Sequence, residues 1–342
     1  MIPLLDSATE HKTPTRPALP WFYQRFPLAL APMAGVTDSV FRRLCKRLGA
    51  DLLITEFVSA EGILHRNQRT RNMIAFHPEE RPLGVQLFGA DPAALADAAK
   101  AVCDWVQPDF IDLNFGCPVN KVVCKNGGSA LLRDQPLLAR VARAVVAASP
   151  VPVTAKIRLG WDAASINAPA NARILANEGV QALAVHGRTK EQGYTGTADW
   201  NSIGEVVAAV SIPVIGNGDL DSPETVLQRR AQTGVAGAMF GRAAMASPWI
   251  FTQVRAALNG QPIPPDPTWS QRWAFIREHC RLEVEERGHE QAVMTSMRAR
   301  LMAYTRGHPG GKQLREKLQH IRSLAELDAI TEEHLASLST AD

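Results

Sequence analysis

The chain has 342 residues, of which 46% are hydrophobic and 21% are charged, so it is large enough for one big domain and a smaller one. This composition excludes a disordered protein, and a formal net charge of +3 does not by itself argue for a nucleic-acid partner. No apolar run approaches the length that spans a bilayer, and the N-terminus lacks the pattern of a signal peptide. We therefore predict a cytoplasmic protein with no membrane contact.

Residues 27–258 alternate short apolar runs with helix-like segments. The runs are near-continuous in Val, Ile, Leu and Ala, as strands buried on both faces are. They are LALAPM from Leu28, DLLITEF from Asp51, LGVQLFG from Leu83, FIDLNFG from Phe110, VPVTAKIRLG from Val151, ALAVHGR from Ala182, IPVIGNGD from Ile212 and VAGAMFGR from Val235. Helices are predicted at 39–47, 92–105, 135–148, 168–178 and 223–231, with Asp38, Asp134 and Ser222 as three of the N-caps.

Eight such strands predict an α/β fold, a (β/α)₈ TIM barrel, over residues 27–258. No GxGxxG follows the first strand, which argues against a Rossmann fold. Residues 1–26 are predicted to be a loosely ordered lead-in, and residues 259–268 a proline-rich linker. Residues 269–342 have helical spacing without a strand signal, so a small all-α domain should follow the barrel.

The cysteines give no sign of a metal site. No pair of the five has CxxC spacing, and the interval from Cys117 to Cys124 fits no common metal pattern. We expect reduced thiols and no bound metal. The sequence is compatible with a monomer.

Polar residues and glycines stand at the predicted strand ends, which meet at the active-site face of a TIM barrel. They include Gln86, Asn114, Cys117, Lys156, Arg158, His186, Arg188, Asn217, Gly218, Asp219, Gly241 and Arg242. Such convergence indicates a ligand. The glycine-containing ends of strands seven and eight suit a phosphate, which Arg242 would neutralise, and Lys156 suits the pyrimidine ring of a flavin.

Seven short motifs follow one another between residues 28 and 254. They are APMAGVTD at 31–38, DLNFGCP at 112–118, GGSALL at 127–132, KIRLGW at 156–161, VHGRTKEQGY at 185–194, NGD at 217–219 and GR at 241–242. In this order and at these separations they resemble the tRNA-dihydrouridine synthases. The C-terminal helices are similar, more weakly, to the tRNA-binding domain of that family.

The resemblance implies reduction of the C5–C6 bond of D-loop uridines in tRNA, with FMN as hydride carrier and NADPH as electron donor. At the matching positions, Cys117 is the expected proton donor to C5, and Asn114 and Arg158 are expected to hold the uracil. The expected flavin contacts are Pro32, Met33, Ala34, Gln86, Lys156, His186, Asn217, Gly218, Asp219, Gly241 and Arg242. A thiol with an ordinary pKa of about 8.5 is mostly protonated at neutral pH, as an acid must be. Lys121, in the loop after Cys117, is expected to meet the RNA backbone.

The C-terminal domain contains a basic run with one acidic residue, Glu316, and with Tyr304 among its arginines. The run consists of Arg298, Arg300, Arg306, Lys312, Arg315, Lys317 and Arg322. The stretch at 283–291 is acidic, so the charge of the domain is polarised, which favours RNA contact over a solvated helix face. Arg315 and Lys317 are the expected tRNA contacts.

Two other functions fit parts of the sequence. An FMN barrel acting on dihydroorotate or an enone would also place a flavin at this rim, but a small pyrimidine requires no basic helical domain. A non-catalytic RNA-binding barrel would have no reason to keep both the phosphate loops and Cys117. Taken singly, Cys117 and His186 are also compatible with ordinary core positions.

Overall fold

The computed structural model describes residues 19–65, 68–119, 123, 127–306 and 311–339. The described strands are β1 (Leu28–Leu30), β2 (Leu53–Ile54), β3 (Val58–Ser59), β4 (Leu83–Phe88), β5 (Phe110–Phe115), β6 (Val153–Arg158), β7 (Ala182–His186), β8 (Val214–Asn217) and β9 (Gly237–Phe240). The helices of the barrel region are α1 (Trp21–Gln24), α2 (Ser39–Arg47), α3 (Ala60–Leu64), α4 (Gln68–Ile74), α5 (Pro92–Val106), α6 (Gln135–Ala148), α7 (Ala168–Asn177), α8 (Trp200–Ala209), α9 (Pro223–Thr233), α10 (Arg242–Ala246) and α11 (Ile250–Leu258). The C-terminal helices are α12 (Trp269–Arg287), α13 (Glu290–Tyr304), α14 (Gly311–Leu318) and α15 (Leu324–Ser339).

The strands form a parallel barrel in the order β1-β9-β8-β7-β6-β5-β4-β2. A parallel bridge between Ala29 and Leu52 joins the two ends of this order and brings the barrel close to closure. The predicted TIM barrel is therefore confirmed. The small strand β3 pairs outside this order, with the carboxyl-terminal end of β4.

The second predicted strand differs from the structure because it is split. Only Leu53–Ile54 pairs as β2, and Val58–Ser59 pairs separately as β3. Between them, the Thr55 hydroxyl accepts from the Gln86 N–H at 3.2 Å, so a side chain takes the place of a backbone carbonyl in the ladder. The hydrophobic pattern does not show that a side-chain oxygen replaces a carbonyl here, so the run from Asp51 appears as one continuous strand in the sequence.

The predicted helix starts are confirmed by their caps. The side chains of Asp38, Asp134 and Ser222 accept from the N–H groups of Phe41, Leu137 and Thr225, as N-caps do. Helices and strands enclose a continuous apolar core between the barrel wall and the outer helices.

The end of the lead-in, residues 19–26, packs into the barrel. Trp21 and Phe22 of α1 contact a second apolar cluster inside the strands, which is made largely of small residues such as Ala29 and Ala184. The Trp21 ring centroid lies 5.7 Å from that of Phe110. Small residues leave room in the barrel interior, and the two aromatic rings fill it.

Helices α12 to α15 form the C-terminal bundle, as predicted, and residues 261–267 before it have neither helix nor strand. Helix α12 packs on α2, and α13 packs on α10, so the bundle sits directly against the barrel. Among the described helices, none is both long and apolar enough to cross a bilayer.

Candidate active site

Polar side chains from neighbouring strands meet at the carboxyl-terminal mouth of the barrel. In the strand register, Asn114 lies beside Lys156, and Arg158 lies beside His186. His186 in turn lies beside Asn217. Because the strands are parallel, their carboxyl ends bring these five residues to one rim.

A chain of hydrogen bonds runs beneath this rim from a buried carboxylate to the backbone of Cys117. Asp112 accepts from the Thr154 hydroxyl and from Gln86 Nε2, both at 2.6 Å. Gln86 Oε1 accepts from Asn114 Nδ2 at 2.8 Å, and Asn114 Oδ1 accepts from the Cys117 N–H at 2.8 Å. An amide nitrogen only donates and an amide oxygen only accepts, so each bond fixes the orientation of the next side chain.

Cys117 follows the end of β5 and is 7% exposed. Its carbonyl accepts from the Ser129 hydroxyl at 2.8 Å and from the Ser129 N–H at 3.2 Å, which holds the residue from its other side. Burial raises the pKa of the thiol, and the Val119 N–H and the charges of Arg158 and Lys156 oppose this only in part. The thiol therefore stays protonated at neutral pH, which is the state that a proton donor requires.

Arg158 connects the end of β5 to the loop after β7. Its buried guanidinium donates to the carbonyls of Gly116 at 2.9 Å, Thr189 at 2.8 Å and Gly193 at 2.9 Å. Its central carbon lies 5.8 Å from the centroid of the Tyr194 ring, and Tyr194 is 59% exposed. Arg158 thus holds two loops of the rim together and stands beside an aromatic ring that is open to solvent.

Positive charge is concentrated around His186. Burial lowers the pKa of this imidazole, and the charges of Lys156, Arg158, Arg188 and Arg242 lower it further, so the ring is neutral at physiological pH. Burial, with Arg158 beside it, lowers the pKa of Lys156 to about 8. Cations gathered this closely disfavour one another, so the pocket suits an anionic ligand.

Asp219 holds two of these cations in place. Its carboxylate accepts two bonds from Arg188, at 3.0 and 2.8 Å, one from Arg242 at 2.9 Å and one from the Ala198 N–H at 2.8 Å. Burial alone would raise the pKa of this carboxyl, but these hydrogen bonds and the two positive charges lower it. The carboxylate is fully used by protein donors, so a cofactor contact from Asp219 has to come from its backbone. Arg242 itself is 51% exposed.

Backbone without side chains lines part of the mouth. Gly218 has a φ of +125°, and a Cβ there would lie 2.6 Å from a neighbouring side chain, so only glycine fits. A Cβ on Gly241 would lie 3.5 Å from the Met33 sulfur, which shows that the loops after β1 and β9 meet. Pro32 and Met33 are partly exposed in the first of these loops, and Ala34 is exposed.

The predicted RNA contacts of the helical domain have partners within the protein. Arg315 donates to the Thr305 carbonyl at 3.0 Å, and Lys317 pairs with Glu333. Lys317 is exposed, whereas Arg315 is partly buried. Lys121 lies outside the described residues.

The basic run is only partly a charged surface. Tyr304 is buried and hydrogen-bonded to His279 Nδ1 at 2.9 Å, so it cannot stack on RNA as its place among the arginines suggests. Arg298 donates to the Ile321 carbonyl at 3.1 and 2.9 Å. Within the described ranges, the members of the run whose side chains have no hydrogen bond or salt bridge are Arg306, Lys312 and Arg322.

One group of side chains has a spacing that metal sites also have. Ligand atoms of Asp38, His279 and Glu283 all lie within 4.8 Å of one another. Arg300 already donates to Asp38 Oδ2 at 2.6 Å and stands 3.2 Å from His279 Nε2. The cation of this cluster is therefore a guanidinium, and the geometry does not favour an added metal ion.

Sequence reasoning did not assign a structural contact to Arg188, Tyr194 or Arg300, although it placed Arg188 at a strand end and Arg300 in the basic run. The signal for the first two is their place in the motif VHGRTKEQGY, where a charge and an exposed ring follow a strand end. Arg300 gives no local signal, because its partner Asp38 is 262 residues away in the chain.

Comparisons with known proteins show which family this chain is similar to. The family model for "Dihydrouridine synthase (Dus)" matches residues 29–340. The tRNA-dihydrouridine synthase B of Xanthomonas campestris is 41% identical over 313 residues, which cover 90% of this chain and 92% of the relative. The protein of the same name from Pseudomonas aeruginosa is 41% identical over 296 residues, 86% of this chain and 88% of the relative.

More distant similarities were also found. A probable tRNA-dihydrouridine synthase of Mycobacterium leprae is 36% identical over 331 residues, which cover 88% of this chain and 86% of the relative. Among solved structures, nitroalkane oxidase from Streptomyces ansochromogenes aligns with 92% of this chain and 97% of its own at 18% identity. The TM-score of this alignment is 0.40.

Proposed function

This chain belongs to the dihydrouridine synthase family, and we propose that it reduces the C5–C6 bond of a D-loop uridine in tRNA. The observation that carries this proposal is the position of Cys117, a buried cysteine at the end of β5, at the same rim as a cluster of cations that suits a phosphorylated cofactor. We propose FMN as that cofactor and NADPH as the electron donor. The names of the relatives supply tRNA as the substrate class.

The residues at the mouth fit FMN in charge and in shape. Arg242, half-exposed and oriented by Asp219, would neutralise the phosphate, and the bare backbone of Gly218 and Gly241 would allow its approach. Lys156 would lie beside the pyrimidine ring, and the remaining proposed contacts are Pro32, Met33, Ala34, Gln86, His186, Asn217 and the backbone of Asp219. When bound, the flavin supplies the hydride that adds to C6 of the uracil.

Cys117 supplies the proton that completes the reaction. Hydride addition at C6 leaves enolate-like charge on C5 and O4, and C5 must then be protonated. The buried thiol keeps its proton at neutral pH and can transfer it when this charge develops. Asn114 and Arg158 are proposed to hold the uracil. Because Asn114 Oδ1 also accepts from the Cys117 N–H, the same side chain would position both the uracil and the proton donor.

The target uridine has to leave its stack in folded tRNA to enter the mouth. Base flipping costs a few kcal/mol, which contacts elsewhere must offset. We propose that Arg315 and Lys317, together with the exposed Arg306 and Lys312, bind phosphates of the tRNA body. Lys121 is proposed to act in the same way near the mouth. We also propose a cytoplasmic location, because the proposed substrate is tRNA.

A turnover experiment tests this proposal. Purified protein should show the absorption spectrum of a bound flavin, oxidise NADPH, and form dihydrouridine in unmodified tRNA, as measured by mass spectrometry of nucleosides. The competing small-molecule oxidoreductase would oxidise NADPH in the presence of dihydroorotate or an enone and leave tRNA unchanged. A protein without flavin and without either activity would support a purely RNA-binding role.

A further inference from the structure

Helix α13 of the C-terminal domain reaches into the barrel through one side chain. Arg300 is 5% exposed and donates to the Val36 carbonyl and to Asp38 Oδ2, the latter at 2.6 Å. Val36 and Asp38 belong to the loop between β1 and α2, residues 31–38. This is the loop that carries the proposed flavin contacts Pro32, Met33 and Ala34.

Hydrogen bonds within the loop couple the position of Val36 to that of Met33. The N–H groups of Val36 and Thr37 both donate to the Met33 carbonyl at 3.0 Å, and the Thr37 hydroxyl accepts from the Met33 N–H at 2.9 Å. The Thr37 carbonyl accepts from Arg42 Nη1 at 2.7 Å. A displacement of Val36 therefore has to move Met33 or break these bonds.

Arg300 is itself held rigidly. His279 Nε2 lies 3.2 Å from Arg300 Nη1, and His279 Nδ1 is bonded to the Tyr304 hydroxyl at 2.9 Å. The guanidinium carbon also lies 4.9 Å from the centroid of the Phe41 ring, which stacks on His279 at 5.6 Å. The side chain that holds the loop is thus fixed by His279 of the helical domain and by Phe41 of α2.

We propose that Arg300 is a positioning residue that sets the conformation of residues 31–38 and thereby the affinity for FMN. This inference rests on the proposed function, because it assumes that the loop contacts the flavin. Without Arg300, the loop would adopt its binding-competent conformation only part of the time. The apparent dissociation constant rises in inverse proportion to that fraction.

Domain docking does not depend on Arg300 alone. Two further ion pairs cross the same junction, Arg43 with Glu286 and Arg47 with Glu278 at 3.0 Å. Neither pair involves the loop. Removing Arg300 should therefore loosen residues 31–38 while the helical domain remains attached.

The test compares two arginines of the same helix. Arg300→Met should raise the Kd of the apo-protein for FMN about ten-fold, as loss of one charge-assisted hydrogen-bond pair would. The matched control, Arg298→Met, removes a bond to the Ile321 carbonyl inside the helical domain and should leave the Kd for FMN unchanged. The Kd is measured by quenching of flavin fluorescence, without tRNA or NADPH.

A second variant, Asp38→Asn, tests the same interaction if Arg300→Met does not fold. Asp38→Asn retains the cap on the Phe41 N–H but loses the ionic partner of Arg300, and it should weaken FMN binding by a smaller factor. Where both single variants fold, the double variant should bind FMN no more weakly than Arg300→Met alone, since the two residues share one interaction.

Coupling of this kind is reciprocal, which supplies an independent readout. FMN should slow amide hydrogen exchange in residues 290–304 of the wild type and not in Arg300→Met. An unchanged Kd in Arg300→Met, or an equal loss in Arg298→Met, would overturn the inference while leaving the flavin proposal intact. A wild-type protein that binds no FMN would instead overturn the proposed cofactor and the inference with it.

Discussion

Replacing Cys117 with alanine should separate the two halves of the proposed reaction. The substitution removes one sulfur atom and leaves the backbone bonds to Asn114 and Ser129 available, so the loop should keep its shape. FMN content and the rate of flavin reduction by NADPH should equal those of the wild type. Transfer of reducing equivalents to tRNA should fall about 100- to 10,000-fold, the range for loss of a general acid, which corresponds to roughly 3–5 kcal/mol of activation free energy.

The pH dependence follows from the raised pKa of the Cys117 thiol. A general acid acts while protonated, so activity should be lost as pH rises through its pKa. Because burial raises that pKa, the rate of dihydrouridine formation in the wild type should stay level through neutral pH and decline only in the alkaline range. In Cys117→Ala the proton has to come from solvent, so the residual rate should decline already between pH 6 and 8.

The assay is a single-turnover mixing of reduced enzyme with tRNA, followed by flavin reoxidation and nucleoside analysis. Cys103→Ala is a matched control, since Cys103 has the same 7% exposure and a pKa that burial raises to about 11, but lies on α5 away from the mouth. A tRNA reduction rate in Cys117→Ala within a few-fold of the wild type would refute the assignment of this thiol as the acid.

Three further predictions test other parts of the proposed site and the basic run. Arg242→Glu should lose bound FMN on purification, because it places negative charge where the phosphate is proposed to lie; full flavin occupancy would show that the phosphate lies elsewhere. In the wild-type apo-protein the Kd for FMN should rise about ten-fold from pH 7 to pH 9, as Lys156 loses its charge above its pKa of about 8, and Lys156→Met should abolish that rise. Lys312→Glu with Lys317→Glu should raise the KM for tRNA and flatten its salt dependence, whereas Arg281→Glu on α12 should not; equal effects from both charge reversals would remove the basic run from tRNA binding.

The barrel can be predicted from the sequence because its strands are buried on both faces and are therefore apolar along their whole length. Continuous Val, Ile, Leu and Ala runs recur at the right intervals, and the capping residues Asp38, Asp134 and Ser222 mark helix starts locally. The split of the second strand at Thr55 could not be predicted, because it depends on the hydrogen bond that the Thr55 hydroxyl accepts from the Gln86 N–H of another strand. Secondary structure with a short sequence period can be predicted from the sequence, whereas contacts between segments that are distant in the chain cannot.

The same distinction applies to the site. Cys117 and the strand-end cations stand out because each is a polar or reactive group at the end of an apolar run. The saturation of Asp219 by Arg188, Arg242 and a backbone N–H requires three loops to be placed in space. In the sequence, Arg300 resembles an exposed residue of the basic run. Only the packing of α13 on the barrel shows that it is buried.

The most direct test of the central claim is a map of dihydrouridine in tRNA from a strain that lacks this gene. If the protein is a tRNA-dihydrouridine synthase, one D-loop position should carry uridine in place of dihydrouridine, and purified protein with FMN and NADPH should restore the modification in that tRNA. An unchanged dihydrouridine map in the deletion strain, together with no conversion of unmodified tRNA by the purified protein, would contradict the account.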